Sequence, residues 1–193
     1  VRRLQKALPA NADIHTPYGA TECLPVASVS GTELNEKVEE KTGRGEGTCV
    51  GFPVEPNDIR IIPVTDHVIE SFSHTVDLPV GITGEVVIHG PTTTDSYWRR
   101  PEQTALAKIA DEEGRTWHRM GDAGYFDAEG RLWYCGRKSQ RVVNGDDVMY
   151  ADQIEAIFNV HPEVARTALV GIGPDGYQTP VLCVETLYKV TKH

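Results

Sequence analysis

The hydrophobic pattern changes along the chain, from short alternating runs to a mixture of helical and strand spacing. Between Gly47 and Gly90, apolar and β-branched residues form four short runs that Pro, Asn, Asp and Gly separate. These runs predict strands at 47–54, 58–64, 66–76 and 84–90. Short strands joined by tight turns favour an antiparallel sheet or a small barrel.

Residues 101–114 have the spacing of a helix. Pro101 is tolerated in a first turn, and Leu106 and Ile109 stand three apart on one face. Gly114 is the predicted end of this helix. The first nine residues fit the end of another helix, as in an excised piece of a longer chain.

Residues 115–137 predict two strands around two turns, at 121–124 and 127–130. No internal repeat is expected. From about residue 138 the pattern changes to a strand at 141–143, a turn and then a helix. That helix, 151–160, has Ile154, Ile157 and Phe158 on one face, and strands at 165–172 and 180–190 follow it. The fold class is therefore α+β, with a short hinge near 137–139.

The composition limits the kind of protein. With 193 residues and 39% hydrophobic content, the chain can bury a core. A net charge of −9 argues against nucleic acid as the partner. No apolar run approaches a transmembrane segment, and no signal peptide is visible, so a soluble, cytoplasmic protein is expected. Cys23, Cys49, Cys135 and Cys183 lack zinc-ligand spacing and predict free, buried or partly buried thiols.

Several chemical motifs have ordinary explanations. Residues 171–176, "GIGPDG", match a dinucleotide fingerprint but lead to another strand rather than a helix, which favours a turn. Residues 43–48, "GRGEGT", lack the lysine of a phosphate loop and predict a flexible loop. None of the seven histidines lies in a recognisable nucleophile elbow, and His118 is read as a packed or surface residue.

Three segments in order carry a stronger signal. They are "YGATE" from Tyr18, "TGEVVIHGPTTTDSYWRRPEQT" from Thr83, and "WHRMGDAGYFDAEGRLWYCGRKSQRVVNGDDVMYADQIE" from Trp117. Together they resemble the adenylate-forming superfamily of acyl-CoA synthetases, peptide-synthetase adenylation domains and luciferases. The resemblance covers nearly the whole chain. It implies the back end of a large domain with a distorted antiparallel β-barrel, 1–136, and the start of a small α+β domain, 137–193.

The resemblance implies an ATP site in the first segment. Tyr18 would stack on adenine, and Gly19 would belong to the same nucleotide-binding element. Thr21 would bind the α-phosphate. Glu22 would hold Mg²⁺, a cation that prefers oxygen ligands and keeps several waters. Thr21 and Glu22 are thus the catalytic candidates, and Glu22 is the metal candidate.

The resemblance also assigns roles near the domain boundary. Asp122 would accept hydrogen bonds from the ribose hydroxyls, and Arg137 would contact ribose and phosphate. Lys138 and Ser139 would form the hinge about which the small domain rotates. The implied reaction is attack of a carboxylate on the α-phosphorus of ATP, which yields an acyl-adenylate and pyrophosphate. Activity is expected because the chain retains the whole set of nucleotide-site residues, Tyr18, Thr21, Glu22, Asp122 and Arg137. A non-catalytic nucleotide- or acyl-binding module of the same fold is the alternative.

Two departures from the family pattern bear on the acceptor. Met120 stands where relatives usually have Thr, but the following Gly-Asp is kept. Asp146 replaces a Gly of the stretch that lines the pantetheine channel in thioester-forming members. This replacement argues against coenzyme A as acceptor. The sequence pattern is most similar to that of the β-lactone synthetases of bacterial olefin biosynthesis, whose substrates are 3-hydroxy fatty acids. Thioester and lactone products both stay open.

The resemblance also says what this chain lacks. The family's phosphate loop would precede Val1, and its late catalytic lysine would follow His193, so the isolated chain is expected to be inactive. Acyl chain length and oligomeric state are outside what the sequence indicates.

Overall fold

A computed structural model describes residues 2–9, 11–34 and 36–188. In the first part of the described chain the elements are α1 (Arg2–Gln5), β1 (His15–Ala20), β2 (Cys23–Ser30), α2 (Glu36–Gly43), β3 (Thr48–Pro53), β4 (Asp58–Ile62) and β5 (Gly84–His89). They continue with α3 (Pro101–Ala107), β6 (Lys108–Ala110), β7 (Thr116–Phe126) and β8 (Leu132–Arg137). The last elements are β9 (Val142–Asn144), β10 (Asp147–Met149), α4 (Ala151–Asn159), β11 (Val164–Ile172) and β12 (Thr179–Thr186).

The first eight strands form one antiparallel sheet. Its order is β1-β2-β3-β8-β7-β5-β4, and β6 pairs with β7 off this path. A buried cluster that includes Val26, Ile61, Ile88 and Leu132 joins several of these strands from one side. The antiparallel sheet predicted from the alternating runs is confirmed.

The helix and strands that follow β8 are two hairpins and α4. β9 pairs with β10, and β11 pairs with β12. Ala151 and Ile154 of α4 pack with Leu169 of β11 in a small core. Gly171 and Ile172 end β11, and residues 173–178 join it to β12 rather than to a helix, so the interpretation of "GIGPDG" as a turn is confirmed for its last four residues. Ile157 and Phe158, expected on the apolar face of the helix, are 42% and 44% exposed.

Two predicted elements are wrong. Residues 66–76 contain a short 3₁₀ turn, Phe72–His74, and a single bridge at Ser71 rather than a strand. The helix predicted over 101–114 ends at Ala107, where Lys108 takes an extended conformation and the chain enters β6. Ile109 is fully buried against β7, so pairing with the sheet overrides the helical spacing. Gly114 instead lies in the β6–β7 turn.

The turn predicted at 121–124 is also wrong, because this segment lies inside the long strand β7. Gly121 has φ +67°, in the left-handed region. The register against β5 shifts between Glu85 and Val87, where the partners of β7 move from Ala123 to Arg119. The glycine therefore permits a β-bulge, which changes the direction of the side chains around it.

An internal repeat, which the sequence analysis did not expect, is present in two hairpin turns. "DEEGRTW" at 111–117 joins β6 to β7, and "DAEGRLW" at 127–133 joins β7 to β8. In the first, Asp111 accepts hydrogen bonds from the Arg115 backbone at 2.8 Å and from Trp117 Nε1 at 3.0 Å. In the second, Asp127 accepts the same two bonds at 2.9 Å each, from the Arg131 backbone and Trp133 Nε1. Each aspartate therefore links its turn to the strand that follows.

The cysteines are free, as predicted. Cys23, Cys49 and Cys135 are buried, whereas Cys183 is exposed on β12. Burial raises the pKa of the Cys135 thiol to about 12, so this thiol is protonated near neutral pH.

Candidate functional site

The "YGATE" segment forms the end of β1 and a tight hairpin turn, which the sequence analysis did not assign to strands. Ala20 pairs with Cys23, so Thr21 and Glu22 are the two residues of the turn. Gly19 lies at an irregularity of the register just before it. A Cβ atom at Gly19 would stand 2.6 Å from the Cys23 carbonyl oxygen, so only glycine fits this close approach without a backbone shift.

This turn forms one wall of an open cleft of about 730 Å³. The bulged part of β7 and the end of β8 form other parts of its lining. The lining residues are Gly19, Ala20, Thr21, Glu22, Leu24, Tyr97, His118, Arg119, Met120, Gly121 and Arg137. The structure therefore brings four of the predicted site residues, Gly19, Thr21, Glu22 and Arg137, to one cleft.

Tyr18 and Asp122 are linked to this cleft through Arg137. The Tyr18 hydroxyl donates to Asp122 Oδ2 at 2.6 Å, across 104 positions of sequence. Arg137 forms an ion pair with Asp122 Oδ1 at 2.8 Å, and its own side chain is 52% exposed. Asp122 is only 3% exposed and is not part of the cleft lining. The arginine thus connects a buried carboxylate to the open cleft.

Opposing effects act on this buried carboxylate. Burial is the largest effect and raises the pKa of Asp122 overall, whereas the Tyr18 hydroxyl and the charge of Arg137 act in the opposite direction. Burial and the nearby carboxylate raise the pKa of Tyr18, so its hydroxyl keeps its proton and acts as a donor. Each oxygen of an ionised carboxylate can accept more than one hydrogen bond. Asp122 therefore retains acceptor capacity for a ligand hydroxyl.

The Glu22 carboxylate is held by the loop between β5 and α3. Tyr97 donates its hydroxyl to Glu22 Oε1 at 2.6 Å, and the Thr94 backbone donates to the Glu22 carbonyl at 2.9 Å. The hydrogen bond from Tyr97 lowers the pKa of Glu22. Thr104 Oγ1 of α3 in turn accepts from the Tyr97 backbone at 3.0 Å. The turn therefore presents an ionised, oriented carboxylate.

Two further polar residues lie beside this carboxylate, and the sequence analysis assigned them no role. Lys108 is 8% exposed and donates through Nζ to Thr94. His118, its cross-strand partner, is 3% exposed and lines the cleft. Burial, together with the charge of Lys108, lowers the pKa of His118 to about 4, so this ring is neutral at pH 7. The pairing of β6 with β7 brings these two residues together. The sequence did not indicate this contact, because β6 was predicted as part of a helix.

The predicted hinge residues lie next to the cleft rather than in its lining. Lys138 and Ser139 belong to a 3₁₀ turn, Lys138–Gln140, directly after β8. Lys138 Nζ lies 3.0 Å from Glu85 Oε1, and Glu85 also pairs with Arg119 at 2.7 Å. Because Glu85 is fully buried, this network fixes Lys138, the first residue of the predicted hinge, to the large sheet.

Asp146, the departure that bears on the acceptor, lies in the turn between β9 and β10. Its side chain is exposed. Gly145, the other residue of this turn, has φ +62° and donates its backbone N–H to the Gly176 carbonyl at 2.8 Å. The contact fixes the turn against the β11–β12 loop, so the carboxylate of Asp146 is presented from an ordered hairpin.

The described residues contain no group of three or more His, Cys, Asp or Glu side chains placed to hold a metal ion. A cation at Glu22 would therefore need oxygen ligands from phosphate and water, which is the usual way in which Mg²⁺ binds. The donor set fits such a partial site. Among the described residues, none of the helices has the length and hydrophobicity of a membrane-spanning segment.

Sequence comparison identifies relatives among β-lactone synthetases and CoA ligases. The chain is 54% identical over 191 residues to an olefin beta-lactone synthetase of Stenotrophomonas maltophilia, which covers 97% of this chain and 34% of that protein. It is 30% identical over 154 residues to an indoleacetate–CoA ligase of Aromatoleum aromaticum, covering 80% of this chain and 26% of that ligase. The chain spans about a third of the length of two β-lactone synthetases that it matches and about a quarter of the length of the CoA ligase. No family model matches it.

Solved structures share the fold. An amide bond synthetase from Marinactinospora thermotolerans superimposes with a TM-score of 0.71 at 26% identity, over 93% of this chain and 33% of that one. An O-succinylbenzoate coenzyme A synthetase from Bacillus subtilis, solved with ATP and magnesium, gives a TM-score of 0.69 at 24% identity over the same shares. By its sequence relatives and its fold, this chain belongs to the adenylate-forming superfamily.

Proposed function

We propose that this chain is part of an ATP-dependent ligase that activates a fatty or 3-hydroxy fatty carboxylate as its acyl-adenylate. The observation that carries the proposal is the connected arrangement of Tyr18, Asp122 and Arg137 beside the Thr21–Glu22 turn. This arrangement combines a hydroxyl donor, a buried carboxylate and an arginine that lines an open cleft. These groups suit a ligand that has both a sugar and a phosphate.

In this proposal, Asp122 accepts the ribose hydroxyls of ATP. The half-exposed Arg137 can turn toward ribose and phosphate when a nucleotide enters, which frees acceptor capacity on Asp122. The ring of Tyr18 serves as the adenine platform, while its hydroxyl holds the carboxylate in position. Thus one residue of the β1 hairpin orients another on β7.

Thr21 and Glu22 act on the phosphates. The Thr21 hydroxyl, exposed at the turn, donates to the α-phosphate. Glu22 would supply one oxygen to a bound Mg²⁺, and the ion would contribute neutralisation of phosphate charge. The hydrogen bond from Tyr97 keeps Glu22 ionised for this role.

For the second half-reaction we propose ring closure to a β-lactone rather than transfer to coenzyme A. The identity to the beta-lactone synthetase, 54%, far exceeds the 30% identity to the CoA ligase. Asp146 adds an exposed carboxylate where thioester-forming relatives have glycine, which disfavours the anionic coenzyme A. A substrate with its own hydroxyl needs no separate acceptor.

Domain movement completes the proposal. Residues 1–136 would belong to the large domain and 137–193 to the small one, with rotation about Lys138 and Ser139 between the half-reactions. The ion pair of Lys138 with Glu85 would stabilise one of the two orientations.

Product analysis tests this function. The full-length protein is incubated with ATP, Mg²⁺ and a 3-hydroxy fatty acid, with and without coenzyme A, and the products are identified by mass spectrometry. We expect AMP and a β-lactone in both mixtures. A thioester that forms only with coenzyme A, with no lactone, would remove the lactone proposal but keep the acid-activating ligase.

A further inference from the structure

His118 is a buried ionisable group that the proposed nucleotide chemistry leaves unused. It lies on β7 and lines the same cleft as Thr21 and Glu22. The charged groups around it are Lys108, paired with it across the strands, and Glu22 on the facing turn. Its position inside the cleft, rather than on the outer surface, calls for a chemical explanation.

The hydrogen bonds of the ring define which nitrogen can act. Nδ1 lies 3.2 Å from the carbonyl oxygen of Ala107. A carbonyl oxygen can only accept, so Nδ1 carries the hydrogen and Nε2 of the neutral ring has a free lone pair. Within the described residues, no side chain or backbone group is hydrogen-bonded to Nε2. A ring fixed through Nδ1 with Nε2 unprotonated has the arrangement of a general base.

We infer that His118 Nε2 is the base that takes the proton from the substrate's own hydroxyl as the acyl-adenylate closes to the lactone. This inference rests on the proposed function. In the adenylate, the acyl carbon is joined through one oxygen to the α-phosphorus, which Thr21 would bind. The reacting carbon and the 3-hydroxyl are therefore held near the same turn, in the cleft that His118 lines.

The proposed step is an intramolecular acyl transfer. The hydroxyl oxygen forms a new bond to the acyl carbon, and the bond from that carbon to the phosphate oxygen breaks. The electron pair leaves with AMP, and the hydroxyl proton moves to Nε2. Burial and the charge of Lys108 oppose the imidazolium that results, and the negative charge of the departing AMP offsets them. The proton then passes to water.

Two substitutions at one position separate base catalysis from positioning. His118→Asn places an amide near Nδ1, which can keep the bond to Ala107 but removes Nε2. His118→Gln can place an amide acceptor near Nε2, which positions a hydroxyl but takes up no proton. In the full-length protein we expect both variants to form lactone at least about 100-fold more slowly, relative to each variant's own rate of ATP–pyrophosphate exchange with a 3-hydroxy fatty acid.

His89→Asn is the matched control. His89 lies on β5 next to β7, and its Nδ1 makes the same kind of contact, 3.0 Å from the Thr116 carbonyl oxygen, but it does not line the cleft. We expect this variant to close the lactone at the unaltered rate.

The outcomes separate the inference from the function on which it rests. Lactone formation at the unaltered rate by His118→Asn would overturn the role of His118. If only His118→Gln formed lactone at the rate of the unaltered protein, His118 would have a positioning role and would not act as a base. Absence of pyrophosphate exchange in the unaltered protein, or a thioester as the only product, would instead remove the proposed function.

Discussion

At the residue scale, the site depends on one carboxylate and the groups that surround it. The sequence predicted Asp122 and Tyr18 as parts of one site but not their mutual contact at 2.6 Å. That contact spans 104 positions, and only the strand order brings the two together. The positions of Tyr97, Lys108 and His118 beside the turn were missed, because they depend on which strands face the turn.

Asp122→Asn in the full-length protein should weaken the use of ATP by about 1–3 kcal/mol, since a charge-assisted acceptor becomes a neutral one. The measurement is kcat/KM for ATP. Asp175→Asn, in the exposed β11–β12 loop, is the control and should behave like the unaltered protein. An unchanged kcat/KM in Asp122→Asn would mean that the ribose role is misassigned.

Gly121→Ala should destabilise the fold by about 1–2 kcal/mol, because φ +67° is unfavourable for a residue with a Cβ atom. No atom lies within 4 Å of a Cβ at this position, so backbone strain alone is responsible. Gly121→Asn should cost less, since asparagine tolerates this conformation better. Urea denaturation checks both, and equal losses in the two variants would argue against the strain explanation.

At the element scale, the strands with clear alternation were predictable. Segments that become strands only by pairing with the sheet were not. The strands β3, β4 and β5 match their predicted runs. β6 was hidden because helical spacing continues from α3 through Ile109, and only pairing with β7 makes this segment a strand. The two "D-x-E-G-R-x-W" turns were also missed, although both copies are readable in the sequence.

The repeated turns predict matched effects. Trp133→Phe keeps a buried ring but removes the Nε1 bond to Asp127, and should cost about 1–2 kcal/mol of stability. Trp117→Phe removes the equivalent bond to Asp111 and should shift stability in the same direction. Thermal denaturation of both variants is the measurement. A loss at one turn only would show that the two copies are not equivalent in their energetics.

At the scale of the whole molecule, the small unit is attached to the large sheet through ionic contacts that follow β8. Lys138 pairs with the buried Glu85, and Arg141 forms an ion pair with Asp66. The sequence indicated a hinge here, but the partners at 66 and 85 could not be identified, because they belong to a distant loop and strand. The proposed rotation would have to break these contacts.

The double variant Lys138→Met, Arg141→Met should therefore loosen this attachment. Amide hydrogen exchange over 138–144 in the full-length protein is expected to be faster than in the unaltered protein. Arg166→Met, which breaks the exposed pair with Glu185, is the control and should leave this exchange unchanged. Equal protection in the double variant and the unaltered protein would show that the ion pairs do not hold the hinge.

The proposed function requires the whole protein to activate a carboxylate by joining it to AMP. The most direct measurement uses a 3-hydroxy fatty acid with ¹⁸O in both carboxylate oxygens, together with ATP and Mg²⁺. Attack of the carboxylate on the α-phosphorus, followed by loss of AMP from the acyl carbon, must transfer one labelled oxygen to the phosphate of AMP. We predict AMP heavier by one ¹⁸O; unlabelled AMP, or ADP with labelled phosphate, would contradict the account.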